Sequence, residues 1–217
     1  MDPETFRAEA HRVVDWMADY LRDVEALPVL PDVTPGALRS ALPASPPDEG
    51  EPFDRVFADF ERLIVPGMTH WGHPRFFAYF SANYSPPSIL AEMLTATLGA
   101  QCMSWITSPA ATELEQVMMG WLARLLGLPA AFTGVIQDSG STSTLVALIS
   151  ARDRATLPGT EAGALRVYAS QEAHSSVAKG VRLAGYGEGA LRLIETDAAF
   201  AMQPERLAAD PAHAAST

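Results

Sequence analysis

Lysine is almost missing from this 217-residue chain: of 15 basic residues Lys179 is the only lysine, and the rest are arginines. Chemistry that needs a lysine amine within these residues has one candidate. Cysteine is as scarce. Cys102 is the single one, which excludes an intrachain disulfide and a thiolate metal cluster and leads us to expect a soluble, reducing compartment, the cytoplasm. Basic charge is in deficit too, with 15 Lys and Arg against 26 Asp and Glu for a net charge of −11. No Lys/Arg cluster offsets it locally, so the chain repels phosphate backbones and nucleic-acid binding is not expected. No run approaches ~18 apolar residues, so no membrane span is expected, and the acidic N-terminus is unlike a secretion signal. What remains, 48% hydrophobic and 19% charged residues, is an ordinary globular composition on a chain long enough to bury a core.

Proline and glycine punctuate the chain. Asp2-Pro3 opens an amphipathic helix over 3–26, with Phe6, Val13, Met17, Leu21 and Val24 at helical spacing. Pro28, Pro31, Pro35, Pro43, Pro46, Pro47 and Pro52 then forbid a long element, leaving room for one helical turn at 35–42 before a helix at about 52–65. Pro86-Pro87 starts a helix to about Gly99. Ser108-Pro109 starts another, with Glu113 and Glu115 placed to favour its dipole, that stops at Gly127. From residue 130 strand and helix alternate: a buried strand at 134–137, a helix at 140–155, a strand at 165–170, a helix at 175–184 and a strand at 190–195. This βαβαβ order predicts an α/β fold, the start of a parallel three-layer domain.

Three segments carry candidate chemistry. At Ser139-Gly140-Ser141 a strand turns straight into a helix, so free amide hydrogens, small hydroxyls and the positive helix end converge. This is an anion site or an ordinary serine-rich cap, and the residues alone leave both open. His174 follows the second strand, at the carboxyl edge where open α/β sheets bind ligands, although lone histidines are commonly structural. Lys179 falls five residues on, in mid-helix, where a Schiff-base lysine is not expected. The third segment, Thr69-His70-Trp71-Gly72-His73-Pro74 followed by Arg75 to Phe80, is either aromatic packing or a wall for a flat ligand. Its histidine pair lacks a third ligand at recognisable spacing, so no metal site is expected. The run from Met103 to Pro109 is similarly aromatic and polar, and its role is equally open.

Together these segments resemble the pyridoxal-phosphate-dependent group II decarboxylases, specifically the aromatic-L-amino-acid decarboxylase family. The matching runs are Thr69 to Pro74, Phe76 to Phe80, Ser104 to Glu115, Val135 to Gln137 with its Ser/Gly turn, and Ala173 to Val177, in the family's order from the first helix to about residue 205. The resemblance implies the start of a three-layer, aspartate-aminotransferase-like large domain over 86–217, preceded by a helical arm over 1–85 that pairs with a second subunit. It implies pyridoxal 5'-phosphate as cofactor, gripped at Ser139, Gly140 and Ser141, with His174 stacked on its ring and bearing on catalysis. It implies a substrate pocket at Trp71, Tyr79, Phe80, Ala82 and Met103; Ala82 and Met103 depart from residues common in aromatic-substrate members.

The reaction so implied releases CO2 from an aromatic L-amino acid through an external aldimine. The family's Schiff-base lysine lies in a His-Lys pair that this chain does not contain, nor does it contain the aspartate that meets the ring nitrogen. The chain is therefore expected to be an N-terminal part of such an enzyme, inactive alone. The alternatives are a non-catalytic oligomerisation or cofactor-cradle module, or another pyridoxal-phosphate enzyme class, against which the long aromatic arm argues.

Overall fold

Helices begin where a short polar residue can accept the orphan amide hydrogens of the first turn, or where proline has none to leave unpaired. The computed structural model describes residues 1–79, 84–156 and 165–210. The chain divides into two compact units, Met1–Gly99 and Ala100–Thr217.

In the first unit, α1 spans Pro3–Asp23 and is capped by Asp2, whose carboxylate accepts from the amides of Glu4 and Thr5 at 3.0 Å each. A 3₁₀ turn over Val24–Ala26 carries it to the expected end. The proline-rich stretch holds only α2, Ala37–Ala41. The single helix expected at 52–65 is α3, Phe53–Asp59, continued as a π-helical turn over Phe60–Ile64 and a 3₁₀ turn over Val65–Gly67. Pro66 has no amide hydrogen with which to extend the regular ladder. Trp16 of α1 meets Phe60 edge-on at 5.0 Å and Phe57 at 6.3 Å, which ties α1 to α3. Helix α4, Pro86–Leu98, opens on a capping box between Ser85 and Ser88 and closes on Gly99 at φ +58°, a conformation glycine adopts without steric cost.

The two histidines of the 69–74 segment are buried packing residues. The Tyr20 hydroxyl is hydrogen-bonded to Nδ1 of His70 at 2.9 Å, while the His70 amide donates to the Val29 carbonyl. His73 Nδ1 accepts from the Arg75 amide at 2.9 Å, so its Nε2 carries the hydrogen that reaches the Glu25 carbonyl at 3.2 Å. The two residues thus fasten this segment to the end of α1 and the irregular stretch after it. Between them Gly72 lies under Tyr84, where a Cβ would sit 1.8 Å from the tyrosine oxygen.

The second unit begins with α5, Pro109–Leu125. Glu113 and Glu115 lie beyond its first turn and serve as acceptors rather than as dipole partners. Glu113 Oε1 takes the Trp105 indole hydrogen at 3.0 Å, and Glu115 Oε1 takes the Ile136 amide at 2.6 Å. Ser108 caps through its carbonyl, which accepts from Thr112, and not through its side chain. Helix α6 spans Gly140–Ala155, the limits read from the sequence. Then come β1 (Val167–Ser170), α7 (Ser176–Leu183), β2 (Leu191–Ile194) and α8 (Pro204–Ala208). β1 and β2 pair in parallel, with Val167 opposite Leu191 and Ser170 opposite Ile194, so α7 is a βαβ crossover.

The strand expected at 134–137 is a correction. Those residues are irregular, with Val135 and Ile136 exposed. A strand exists only with a ladder partner, and among the described residues none pairs here; the Glu115 carboxylate holds the segment instead.

The buried side of this unit, Ala169, Val181, Ala184, Ala190 and Ile194, consists mostly of small residues, so the elements come close. Helix α7 packs on α6 at Gly180, where a Cβ would stand 2.8 Å from Leu148 Cδ1 and 3.7 Å from Thr144 Cγ2. Two further bonds close the contact: the Arg152 guanidinium donates to the Ala184 carbonyl at the end of α7, and the Tyr186 hydroxyl donates to the Leu148 carbonyl at 2.9 Å.

Three outcomes follow for stability. Gly180→Val forces Leu148 and the helix apart and should lower unfolding stability by about 1–3 kcal/mol in thermal or urea melts. Gly120→Ala, in mid-α5 with nothing near its would-be Cβ, should raise it by about 0.5–1 kcal/mol. The third outcome concerns His70, whose pKa is held below its ordinary value by burial and, secondarily, by the nearby His73. The unfolded chain then takes up a proton there before the folded one does. This contribution is fully present above pH ~6.5 and is lost as pH falls through the folded pKa. His70→Asn should flatten that acid-side decline in the thermal midpoint relative to the parent protein.

Candidate functional site

The α6 N-terminus is built to leave donors free. Ser139 accepts from the Thr142 amide through its hydroxyl at 3.2 Å and from the Ser143 amide through its carbonyl at 2.9 Å. Among the described residues no acceptor meets the amides of Gly140 and Ser141 or the Ser141 hydroxyl. A Cβ at Gly140 would meet nothing within 4 Å, and its φ is not positive. Neither packing nor backbone conformation calls for a glycine there. What the glycine leaves is room for something to approach the backbone. Two amide hydrogens, a hydroxyl and the positive helix end are the donor set of a phosphate site, so these residues fit the phosphate of pyridoxal phosphate.

His174 lies in the loop after β1, on the carboxyl side of the sheet as expected, and is exposed. The Ser176 amide donates to its Nδ1 at 3.2 Å, and the Ser176 hydroxyl lies 3.0 Å from the same nitrogen. Ser176 Oγ is also 3.5 Å from Thr144 Oγ1, which donates to the Gly140 carbonyl at 2.8 Å. A chain of polar contacts therefore joins His174 to the turn that carries Gly140 and Ser141. Sequence reasoning missed Ser176 and Thr144. The available signal was the i, i+4 spacing of Ser176 and Gly180, which puts two small residues on one face of α7. Lys179 is exposed in the middle of α7.

Of the five pocket residues, the first unit brings Trp71 and Tyr79 together, stacked at 5.7 Å, with Phe76 4.8 Å from Trp71. Tyr79 is 88% exposed and holds φ +56°, a left-handed conformation that costs a bulky residue about 1–3 kcal/mol. Met103, in the second unit, is 80% exposed. Phe80 and Ala82 lie outside the described residues. No group of histidine, cysteine and carboxylate side chains that could hold a metal occurs among the described residues, and no helix there is long and apolar enough to cross a membrane.

Residues 35–212 match the family described as the pyridoxal-dependent decarboxylase conserved domain. The chain is 44% identical to the aromatic-L-amino-acid decarboxylase of Sus scrofa over 225 residues, covering 95% of this chain and 46% of that protein. It is also 44% identical to phenylacetaldehyde synthase of Arabidopsis thaliana over 218 residues, covering 95% and 44%. Among solved structures, Catharanthus roseus tryptophan decarboxylase in complex with L-tryptophan superposes with a TM-score of 0.88 at 41% identity, over 95% of this chain and 46% of that one. Oryza sativa TDC with PLP and tryptamine gives 0.86 at 36%, over 95% and 47%. The chain spans about half the length of the curated relatives it matches, and by sequence and structure alike it belongs to the pyridoxal-dependent decarboxylase family.

Proposed function

We propose that the protein is a pyridoxal-phosphate-dependent decarboxylase of aromatic L-amino acids, releasing CO2 and leaving the amine. The observation that carries this reading is the joined pair in the second unit: a helix end with two unmatched amides beside an open glycine, linked through Thr144 and Ser176 to an exposed imidazole. Gly140 and Ser141 would hold the cofactor phosphate, Ser139 would keep the turn closed, and His174 would stack on the ring. Pyridoxal phosphate, when bound, supplies the electron sink for the pair left by the departing carboxylate. The protein's own work is to bind and orient. His174 Nε2 would hold a hydrogen toward the substrate. Trp71, Tyr79, Phe80, Ala82 and Met103 would form the wall for the aromatic side chain. Lys179, exposed in mid-helix, has no part in this chemistry.

The fold follows the same reading. Residues 86–217 would belong to a three-layer, aspartate-aminotransferase-like large domain, and residues 1–85 would be a helical arm that pairs two subunits in the cytoplasm. The arm's own surface supports this. Val13, Trp16, Met17, Phe53, Val56, Phe57 and Phe60 line an almost wholly apolar groove of about 390 Å³ between α1 and α3, and open apolar surface of this kind marks association sites. A second copy of the chain is the occupant that the family reading supplies.

Two experiments test the proposal, both on protein expressed from its complete reading frame with pyridoxal phosphate. His174→Phe keeps a flat ring but no proton, so it should leave cofactor Kd within a few-fold while kcat falls roughly 100-fold or more; His174→Ala should weaken both. Near-normal turnover in the Phe variant would reduce His174 to a shelf. The products should be CO2 and amine, and an aldehyde would move the protein toward the synthase relative. Deleting residues 1–65 should abolish the dimer in light scattering, and a stable dimer without them would refute the arm's role.

A further inference from the structure

We infer that Ser176 is a positioning residue that fixes the tautomer of His174, making Nδ1 the acceptor and leaving the hydrogen on Nε2 for whatever lies against the ring. The inference rests on the proposed role of His174 and adds the group that sets which proton the imidazole carries.

Three observations carry it. The Ser176 amide donates to Nδ1 at 3.2 Å, at the long end of the hydrogen-bond range, so it favours a bare Nδ1 but leaves the serine hydroxyl to decide the tautomer. The Ser176 hydroxyl lies 3.0 Å from the same nitrogen and 3.5 Å from Thr144 Oγ1. Thr144 already gives its hydrogen to the Gly140 carbonyl at 2.8 Å, so the shorter and better acceptor for the serine hydrogen is Nδ1. Last, Ser176 is 7% exposed beneath an imidazole that is itself exposed. A buried hydroxyl has a partner, and here the partner is the ring of the residue proposed to act.

Helix packing makes this possible. Ser176 and Gly180 share a face of α7, and the missing side chain at Gly180 lets that face descend on α6 until Thr144 and Ser176 meet. The hydroxyl is then held on two sides, and it points upward to the ring. The neutral imidazole so held offers an N–H at Nε2, which among the described residues has no partner. It can donate to a substrate carboxylate, and it presents no lone pair on that side.

The test reads the tautomer directly and the catalysis separately. Ring-¹⁵N-histidine spectra of the cofactor-free protein, with His174 assigned by its loss in His174→Phe, should show one dominant form with a bare Nδ1 and a protonated Nε2. Ser176→Ala should let the opposite tautomer become a substantial fraction. In the cofactor-loaded protein it should lower kcat roughly ten-fold, the loss expected of one hydrogen bond, with cofactor Kd and KM within about two-fold. Ser176→Thr, which keeps the hydroxyl, should restore both readouts. Thr144→Val keeps the shape and removes only the competing acceptor, so it should leave the tautomer unchanged. An unchanged tautomer in Ser176→Ala overturns the inference, as does a tautomer change in Thr144→Val. So does a shifted tautomer with full kcat while His174→Phe is impaired. Full turnover in His174→Phe would instead sink the role proposed for His174, whatever the spectra show.

Discussion

The close approach of α7 to α6 at Gly180 is the constraint on which the second unit depends. Any side chain there would meet Leu148 and separate the helices. With hydrogen as the side chain, the helices come near enough for contacts along most of the interface. At one end Ser176 reaches Thr144. At the other the Arg152 guanidinium reaches the Ala184 carbonyl, where a cation favours the negative helix end. Tyr186 locks the turn that follows. Because α7 also connects β1 to β2, the same contact sets where the sheet's carboxyl edge lies relative to the first turn of α6. A loop residue, His174, is thereby positioned by rigid elements on both sides, as the role proposed for it requires.

Helix ends were legible in the sequence because they are local events. Asp2-Pro3, Pro86-Pro87 and Ser139-Gly140 each mark a helix start, and Gly99 marks a stop, so α1, α4 and α6 begin where expected. β1 and β2 were legible as short apolar runs between turns. The segment at 134–137 reads the same way and is not a strand, since the difference lies in a ladder partner that no local pattern can report. The Glu115 carboxylate that holds Ile136 comes from 21 residues away. Its position on α5 suggested only a dipole effect. The π-helical turn at 60–64 was likewise hidden, as its apolar stripe is that of any helix.

The site was legible in its parts and not in its joints. Ser139, Gly140, Ser141 and His174 stood out because glycine, hydroxyls and imidazole at strand ends are few and carry chemistry. Ser176 and Thr144 did not, because serine and threonine near helix starts are common. Only the fold brings the two residues, 32 positions apart, into contact. The aromatic segment shows the opposite case. His70 and His73 looked reactive by type, yet their nitrogens are engaged by Tyr20, Arg75 and Glu25, while Trp71 and Tyr79 beside them remain open and stacked.

The four long helices also show what distinguishes a cap from an anion site. In α1 the Asp2 carboxylate takes the amides of Glu4 and Thr5, its carbonyl takes that of Phe6, and Pro3 has none. That helix end is full and already carries a negative charge. In α4 two prolines remove two donors, and Ser85 takes the next two. Among the described residues α5 also leaves the amides of Ala110 and Ala111 unmatched, with the Ser108 hydroxyl outside the cap, but it carries alanines where α6 carries a glycine. Only α6 combines unmatched amides, an adjacent free hydroxyl and a glycine that neither packing nor φ requires. An uncharged cap that satisfies half its turn is a poor way to stabilise a helix and a good way to attract a dianion. The open glycine, added to that deficit, is what sets α6 apart from the other three as the helix end where a phosphate is proposed.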